Sequence, residues 1–347
     1  MMEPLLRIHG TEGYPVYLGE HILGGLLPGI LSASSRVFAV TDRNVFRHYE
    51  TLLRSVLPKD SPLLVLEPGE TLKSADNLCR LWETFAEAKL DRHSTVVAVG
   101  GGTVGDLVGF AAATYMRGLD IVQVPTTLLS MTDSAIGGKT AIDIEAGKNL
   151  VGTFHRPKAV IADTAFLATL PPEDLRSGMG EVIKYSFITE NALPELLKSD
   201  KSPLCGIIAE CIRAKAALAE ADEFDRGPRM ALNFGHTVGH AAEALSGFAV
   251  PHGFCVVWGC LCVLRGCAKR GLCEASLYGE FEGLAEKYSV IPDFRFSAEE
   301  IAARISADKK SNGNTVTFVY PPTRGKAAYL QISQEELPAF LTDCLTK

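Results

Sequence analysis

The stretch Thr95-Val-Val-Ala-Val-Gly-Gly-Gly-Thr-Val-Gly105 decides the fold, because a run of β-formers passes directly into glycines that match G-x-G-x-x-G from Gly100 to Gly105. A short apolar run bounded by turn residues reads as a buried strand. Glycines at its end let backbone amides approach a pyrophosphate where a helix begins. Working outward, residues 37–40, 63–66, 121–124 and 160–162 read as further strands, the first closing on the turn residues Thr41-Asp42. Leu78, Leu81, Trp82, Phe85 and Ala88 recur at helical spacing behind a cap at Ser74. Strands alternating with amphipathic helices yield a parallel sheet covered by helices, so residues 1–172 are expected to form an α/β domain.

After Pro171-Pro172 the pattern changes to helical periodicity over residues 175–188, 204–221, 230–245, 254–270 and 275–288. Ser297 with Glu300 and Ser333 with Glu336 read as capping boxes, and 315–320 is the only late strand expected. Residues 173–347 thus form a second, mainly helical domain, in keeping with a 347-residue chain. A net charge of -7 argues against a nucleic-acid-binding surface, which needs clustered cations. The nine cysteines are odd in number and form no C-x-x-C pair, which argues against a zinc cluster. Several alternate with Val, Trp and Leu over residues 254–264, as buried thiols do. The opening Met-Met-Glu-Pro-Leu-Leu-Arg does not read as a signal peptide, and the apolar run after His252 is too short to span a bilayer. A cytoplasmic protein with no nucleic-acid or membrane partner is expected.

In the helical half, Asn233-Phe-Gly-His-Thr-Val-Gly-His240 places two imidazoles on one helix face. A zinc protease would carry glutamate where Thr237 stands, so peptide hydrolysis lacks its base. Glu181 and Lys184 share a face of another helix, and His252 follows downstream. A carboxylate with several imidazoles is the ligand set of a catalytic zinc that keeps one position open. Spacing alone leaves open whether His236 pairs with His240 or with His252. Lys215, Arg229 and Asn233, on neighbouring helical patterns, suit a substrate carboxylate.

In the first half, the strand at 121–124 runs into Pro125-Thr126-Thr127, with no acid to bind a ribose as in a simple dehydrogenase. Asp42 and Glu70 are the better candidates. Ile136-Gly-Gly-Lys139-Thr140 is similar to the end of a P-loop, but Asp133 stands where its first glycine belongs, which disfavours nucleoside triphosphate hydrolysis. Lys139, Lys148 and Asn149 nevertheless bring cations and an amide to a glycine-rich region suited to phosphate.

These pieces stand in a fixed order: Pro68-Gly-Glu70-x-x-Lys73, Gly100-Gly-Gly-x-x-Gly-Asp106, Thr-Tyr-Met-Arg117-Gly, Pro-Thr126-Thr127-Leu-Leu, Asp133-Ser-x-Ile-Gly-Gly-Lys139-Thr and Gly-Lys148-Asn149. Glu181-Val-Ile-Lys184, Leu232-Asn233-Phe-Gly-His236-Thr-x-Gly-His240-Ala, Pro251-His252-Gly and Asp308-Lys-Lys310 complete the series. Nearly end to end, the chain resembles the 3-dehydroquinate synthases, sugar phosphate cyclases of the shikimate pathway.

The resemblance implies a Rossmann-like NAD-binding N-terminal domain, a helical metal-binding C-terminal domain and a homodimer. It implies zinc or cobalt held by Glu181, His236 and His252, with His240 facing the substrate. The nucleotide would be met by Asp42, Asn44, Glu70, Lys73, Gly101, Gly102, Thr103, Asp106, Thr126 and Thr127, and by Asp133, Ser134, Lys139, Lys148, Asn149, Phe166, Thr169 and Leu170. Asp133, Lys139, Asn149, Lys184, Lys215, Arg229, Asn233 and Lys310 would line the substrate pocket, with Lys309 an alternative to Lys310 and Arg117 reaching a partner subunit's site. The implied reaction converts 3-deoxy-D-arabino-heptulosonate 7-phosphate to 3-dehydroquinate and phosphate. It proceeds through transient NAD-dependent oxidation, phosphate elimination, re-reduction and intramolecular aldol closure. Asp143-Ile-Glu-Ala146 and Asp225 depart from the usual pattern, which touches loop shape and nearby charge. The rival readings are another sugar-phosphate cyclase and a metal-dependent polyol dehydrogenase of glycerol-dehydrogenase type; Lys215 and Arg229 argue for an acid-bearing substrate.

Overall fold

In a computed structural model, which describes residues 2–9, 13–308 and 314–346, the chain divides into two compact units, one ending at Pro171 and the other starting at Pro172. The first contains β1 (Leu6–Ile8), β2 (Tyr14–Gly19), β3 (Val37–Asp42), β4 (Leu63–Leu66), β5 (Thr95–Gly100), β6 (Asp120–Pro125), β7 (Lys139–Ile144), β8 (Gly147–Phe154) and β9 (Ala159–Asp163). Its helices are α1 (Leu23–Leu31), α2 (Arg43–Val56), α3 (Ala75–Glu87) and α4 (Gly102–Thr114). Seven strands form one sheet in the order β1-β2-β9-β6-β5-β3-β4, parallel except for β1 at its edge. β3 and β5 are buried along their whole length, as parallel strands covered on both faces must be. Leu78, Leu81 and Phe85 of α3 and Leu107 and Val108 of α4 share one core with Phe38, Val40 and Val96. Each such buried side chain contributes about 2 kcal/mol.

Because β4 lies on one side of β3 and β5 on the other, the strand order reverses there, and α/β sheets bind ligands beyond the carboxyl ends of strands at such a point. Asp42 ends β3 and caps α2, accepting from the Asn44 and Val45 amides at 2.8 and 3.0 Å. The expected Thr41-Asp42 turn is therefore still strand, and the cap starts the helix at once. A Cβ on Gly100 would lie 2.6 Å from Val104 Cβ, so glycine is needed where β5 turns into α4.

Two features of this unit escape the sequence pattern. The β1–β2 pair precedes the first expected strand, and the glycine-rich region around Lys139 and Lys148 is an antiparallel hairpin of β7 and β8. β8 is exposed from Asn149 to Phe154, so it has no buried face to impose alternation.

The second unit contains α5 (Pro172–Ile188), α6 (Leu193–Lys198), α7 (Leu204–Ala221), α8 (His236–Leu245), α9 (His252–Lys269), α10 (Ser276–Lys287), α11 (Ala298–Asp308) and α12 (Leu337–Leu345). A hairpin of β10 (Thr315–Tyr320) and β11 (Ala328–Ser333) lies between the last two helices in sequence. The helix expected over 230–245 is instead a 3-10 turn, Pro228–Asn233, followed by α8; Gly235 separates them at φ 80°. The bonds of both capping boxes form, but only Ser297 starts its helix: the Ser333 box closes a turn, and α12 begins after Glu336 without a side-chain cap. Glu300 and Glu336 amides donate to Ser297 and Ser333 Oγ, each at 3.2 Å, and the glutamates accept from the serine amides in return. Ser333 also ends β11, the second late strand, which the sequence reading lacks. Cys255, Cys260, Cys262 and Cys267 are buried thiols of α9, and burial pushes Cys262 up to about 12. Among the described residues, no helix is long and apolar enough to cross a membrane.

Candidate metal centre and glycine turn

Close main-chain packing builds the histidine cluster. A Cβ on Gly180 would lie 2.4 Å from Gly253 O, and one on Gly253 would lie 1.8 Å from Ser177 O, so these two glycines let α5 and α9 touch. A Cβ on Gly259 would lie 2.0 Å from Gly235 O, which admits the chain leading into α8 just as closely. Glu181 of α5 is thereby brought to His236 and His252, the first residues of α8 and α9.

Glu181 is fully buried, and its Oε1 lies 3.4 Å from His236 Nε2 and 3.5 Å from His252 Nε2. The second nitrogen of each ring is engaged elsewhere: His236 Nδ1 with Phe234 O and His252 Nδ1 with Glu243 Oε2, both at 3.1 Å. With Nδ1 holding a proton in each ring, a cation between them and Glu181 would take the Nε2 lone pairs. Ligands about 2.0–2.1 Å from a tetrahedral zinc stand about 3.3–3.4 Å apart, close to the two observed edges. The donor set therefore fits a divalent cation such as zinc or cobalt. His240 lies exposed beside the pair, and ligand atoms of all three histidines fall within 4.8 Å of one another.

Burial and the neighbouring Lys184 cation hold the His236 imidazole well below its usual range despite Glu181, which leaves it neutral and able to bind metal. Burial also works to lower His252, but the Glu181 and Glu243 carboxylates outweigh it and lift the group to about 9. A metal ion bound at Nε2 displaces that proton. Lys184 Nζ is in contact with Glu181 Oε2, and both side chains are buried. Lys215 is buried within α7, while Arg229 is buried in the 3-10 turn and donates to Glu223 O at 2.8 Å. Asn233 ends that turn, exposed.

Glu243 is absent from the sequence-derived site. Its signal was its position, seven residues after His236 and three after His240 on the same helical stripe.

In the first unit, the structure brings Glu70, Lys73, Thr103, Asp106, Lys148 and Asn149 together. Lys73 Nζ lies 2.8 Å from Asp106 Oδ2, contacts Asn149 Oδ1, and stands 4.0 and 3.9 Å from the Glu70 and Asp143 carboxylates. Lys148 Nζ is 3.6 Å from Glu70 Oε1, and Thr103 Oγ1 is 3.5 Å from its Oε2. Burial works to lower the Lys73 pKa, but Asp106, Glu70 and Asp143 outweigh it and raise it. Asp143, at the departure from the family pattern, accepts from the Asn149 amide at 2.8 Å, where Asn149 adopts φ 57°.

Gly101 and Gly102 open α4, and a Cβ on either would press on Thr127 Cγ2 at 3.1 Å or Ser134 Oγ at 2.9 Å. Thr126 donates its amide to Gly100 O, and Asp133 and Ser134 lie in a π-helical turn, Ser130–Ser134. Asp42 ends β3, and Asn44 lies in the first turn of α2. Phe166, Thr169 and Leu170 follow β9, with Phe166 packed edge-on to Tyr49 at 4.6 Å. Lys139 is exposed at the start of β7. Arg117 is exposed at φ 70° beside Met116 at φ 51°, two successive left-handed residues. Lys309 and Lys310 lie outside the described residues.

Residues 63–177 match the family model for the 3-dehydroquinate synthase N-terminal region, and residues 178–311 match that for the C-terminal region. The 3-dehydroquinate synthase of Alkaliphilus metalliredigens (strain QYMF) is 36% identical over 355 residues, with 98% of each chain covered. That of Symbiobacterium thermophilum is 39% identical over 336 residues, covering 91% of this chain and 93% of the relative. Among solved structures, 2-deoxy-scyllo-inosose synthase complexed with carbaglucose-6-phosphate, NAD+ and Co2+ matches with a TM-score of 0.87 at 24% identity, covering 96% of this chain and 98% of that one. That likeness shows a shared fold. The two family matches and the near full-length relatives carry the assignment: the chain belongs to the 3-dehydroquinate synthase family.

Proposed function

We propose that this chain catalyses its family's reaction, converting 3-deoxy-D-arabino-heptulosonate 7-phosphate to 3-dehydroquinate and phosphate. The observation that carries the reading is the buried Glu181 carboxylate, faced by His236 and His252 through one oxygen and by Lys184 through the other. When bound, NAD supplies a reversible hydride acceptor and a divalent metal held by Glu181, His236 and His252 supplies a Lewis acid. The 2-deoxy-scyllo-inosose synthase structure, which holds NAD+ and Co2+ on the same fold, supports that pairing.

This chain's own residues supply binding and proton movement. The amides at Gly101 and Gly102 start a helix and suit the nucleotide's pyrophosphate, flanked by Asp42, Glu70, Lys73 and Thr127. Lys184 and His240 move protons at the reacting carbons. Lys215 and Arg229 are buried cations whose charge suits the substrate carboxylate, Arg229 through its planar fork. Lys139, Asn149 and Asp133 serve the rest of the substrate, its phosphate end included. In a homodimer, Arg117 serves the other copy's site. The protein works in the cytoplasm, with zinc or cobalt as its metal.

The test combines metal-loaded protein, the heptulosonate phosphate and NAD far below the substrate concentration, with phosphate and NADH both followed. Phosphate release in large excess over NAD, without NADH accumulation, is expected. Stoichiometric NADH without phosphate would overturn the reading in favour of a dehydrogenase.

A further inference from the structure

We propose that Glu243 is a positioning residue of the metal centre. Its carboxylate fixes His252 with Nε2 toward the ion and supplies the negative charge that lets a dication bind beside Lys184. The inference rests on the metal-site reading above and adds a residue outside the ligand set.

Three observations carry it. First, the two ligand histidines are held differently: His236 Nδ1 meets the neutral Phe234 carbonyl, whereas His252 Nδ1 meets the Glu243 carboxylate. A carboxylate acceptor fixes the tautomer and makes the opposite nitrogen a stronger donor to metal. Second, the local charge is adverse. Glu181 is the only carboxylate among the proposed ligands, and Lys184 already sits on one of its oxygens. His236 and His252 are also the first residues of α8 and α9, whose first turns carry partial positive charge. A second carboxylate offsets that surplus. Third, Glu243 is buried on the stripe that carries His236 and His240, and a buried carboxylate requires a positive partner.

A purely local role is separable. The Glu243 main-chain carbonyl takes bonds from Ser246 Oγ at 2.7 Å and the Phe248 amide at 2.9 Å, and both survive any side-chain change.

The test compares wild type, E243Q, E243A and H236A by Co2+ affinity against a chelating dye, by the visible spectrum of the Co2+ form, and by thermal melting of the metal-free chains. Expected are one Co2+ in wild type and none in H236A. E243Q should bind Co2+ about 10–100-fold more weakly, with shifted ligand-field bands, while its metal-free chain still melts cooperatively, lowered only by the loss of the His252 ion pair. E243A should weaken binding at least as much; if it fails to fold, the near-isosteric E243Q decides alone. Wild-type affinity and spectrum in E243Q would overturn the role of Glu243 and leave the metal site standing. So would weakened binding matched by a collapsed melting temperature of the metal-free E243Q. Metal retained by H236A would overturn the metal-site reading and the inference with it.

Discussion

The two polar clusters are built on opposite charge plans. Around Lys73, one buried ammonium is surrounded by Asp106, Glu70, Asp143 and the Asn149 amide, so the protein supplies its own countercharge. Around Glu181, a buried carboxylate meets Lys184 through one oxygen and, through the other, two imidazoles whose second nitrogens are fixed by Phe234 O and Glu243. The first is a network of paired charges that shapes the turn proposed to hold the nucleotide. The second is arranged around a position for a cation. Both central groups are buried, so the sign of the buried charge and the groups that answer it distinguish the two clusters, and the distinction is open to experiment.

The largest effect is expected from E181Q, which should leave gel-filtered protein without bound metal by elemental analysis and reduce turnover to background. Stoichiometric metal in that variant would remove the contrast between the clusters. K73M should lower stability as well as nucleotide affinity, because it leaves Asp106 and Asp143 without the Lys73 cation. Breaking a buried pair in this way costs about 3 kcal/mol, read by equilibrium urea unfolding. An unchanged urea midpoint would mean that the network holds nothing together.

G253A probes how the centre is assembled. The added methyl meets Ser177 O, and overpacking of that kind costs about 2–3 kcal/mol, with a weaker metal affinity as α5 and α9 part. Full stability with native affinity would show that the helices adjust freely. S297A, outside both clusters, sets the baseline: loss of its cap on α11 should cost about 1 kcal/mol by thermal melting and leave metal binding untouched.

What the sequence reveals follows from which forces act locally. β3, β5 and β6 are legible because they are buried and apolar, and Ser74 and Ser297 are legible because a cap is a short-range hydrogen bond. β8 is not, since its outer residues face solvent and its strand character comes from pairing with β7. The 3-10 turn before α8 is hidden for a similar reason: Met230 to Leu245 keeps helical spacing, while the left-handed Gly235 that breaks it is set by packing against α9. At the centre, histidine spacing leaves His240 and His252 as rivals, and the shared contact of His236 and His252 with Glu181 Oε1 depends on tertiary approach. Glu243 was readable in principle as the third member of a helical stripe, but its role needs the distance to His252.

The interlock of Gly180 and Gly253 has a consequence for how this chain can change over time. Most core contacts join side chains, so a larger group on one element can be accommodated by a smaller one opposite. Here the obstructing atoms are main-chain carbonyls, Gly253 O for one position and Ser177 O for the other, and no substitution shrinks a carbonyl. Neither glycine has a compensating partner mutation available at the contact. The path to a differently shaped metal pocket therefore runs through a shift of a whole helix, which makes this crossing a slow-moving hinge in sequence space even while the surrounding surface is free to drift.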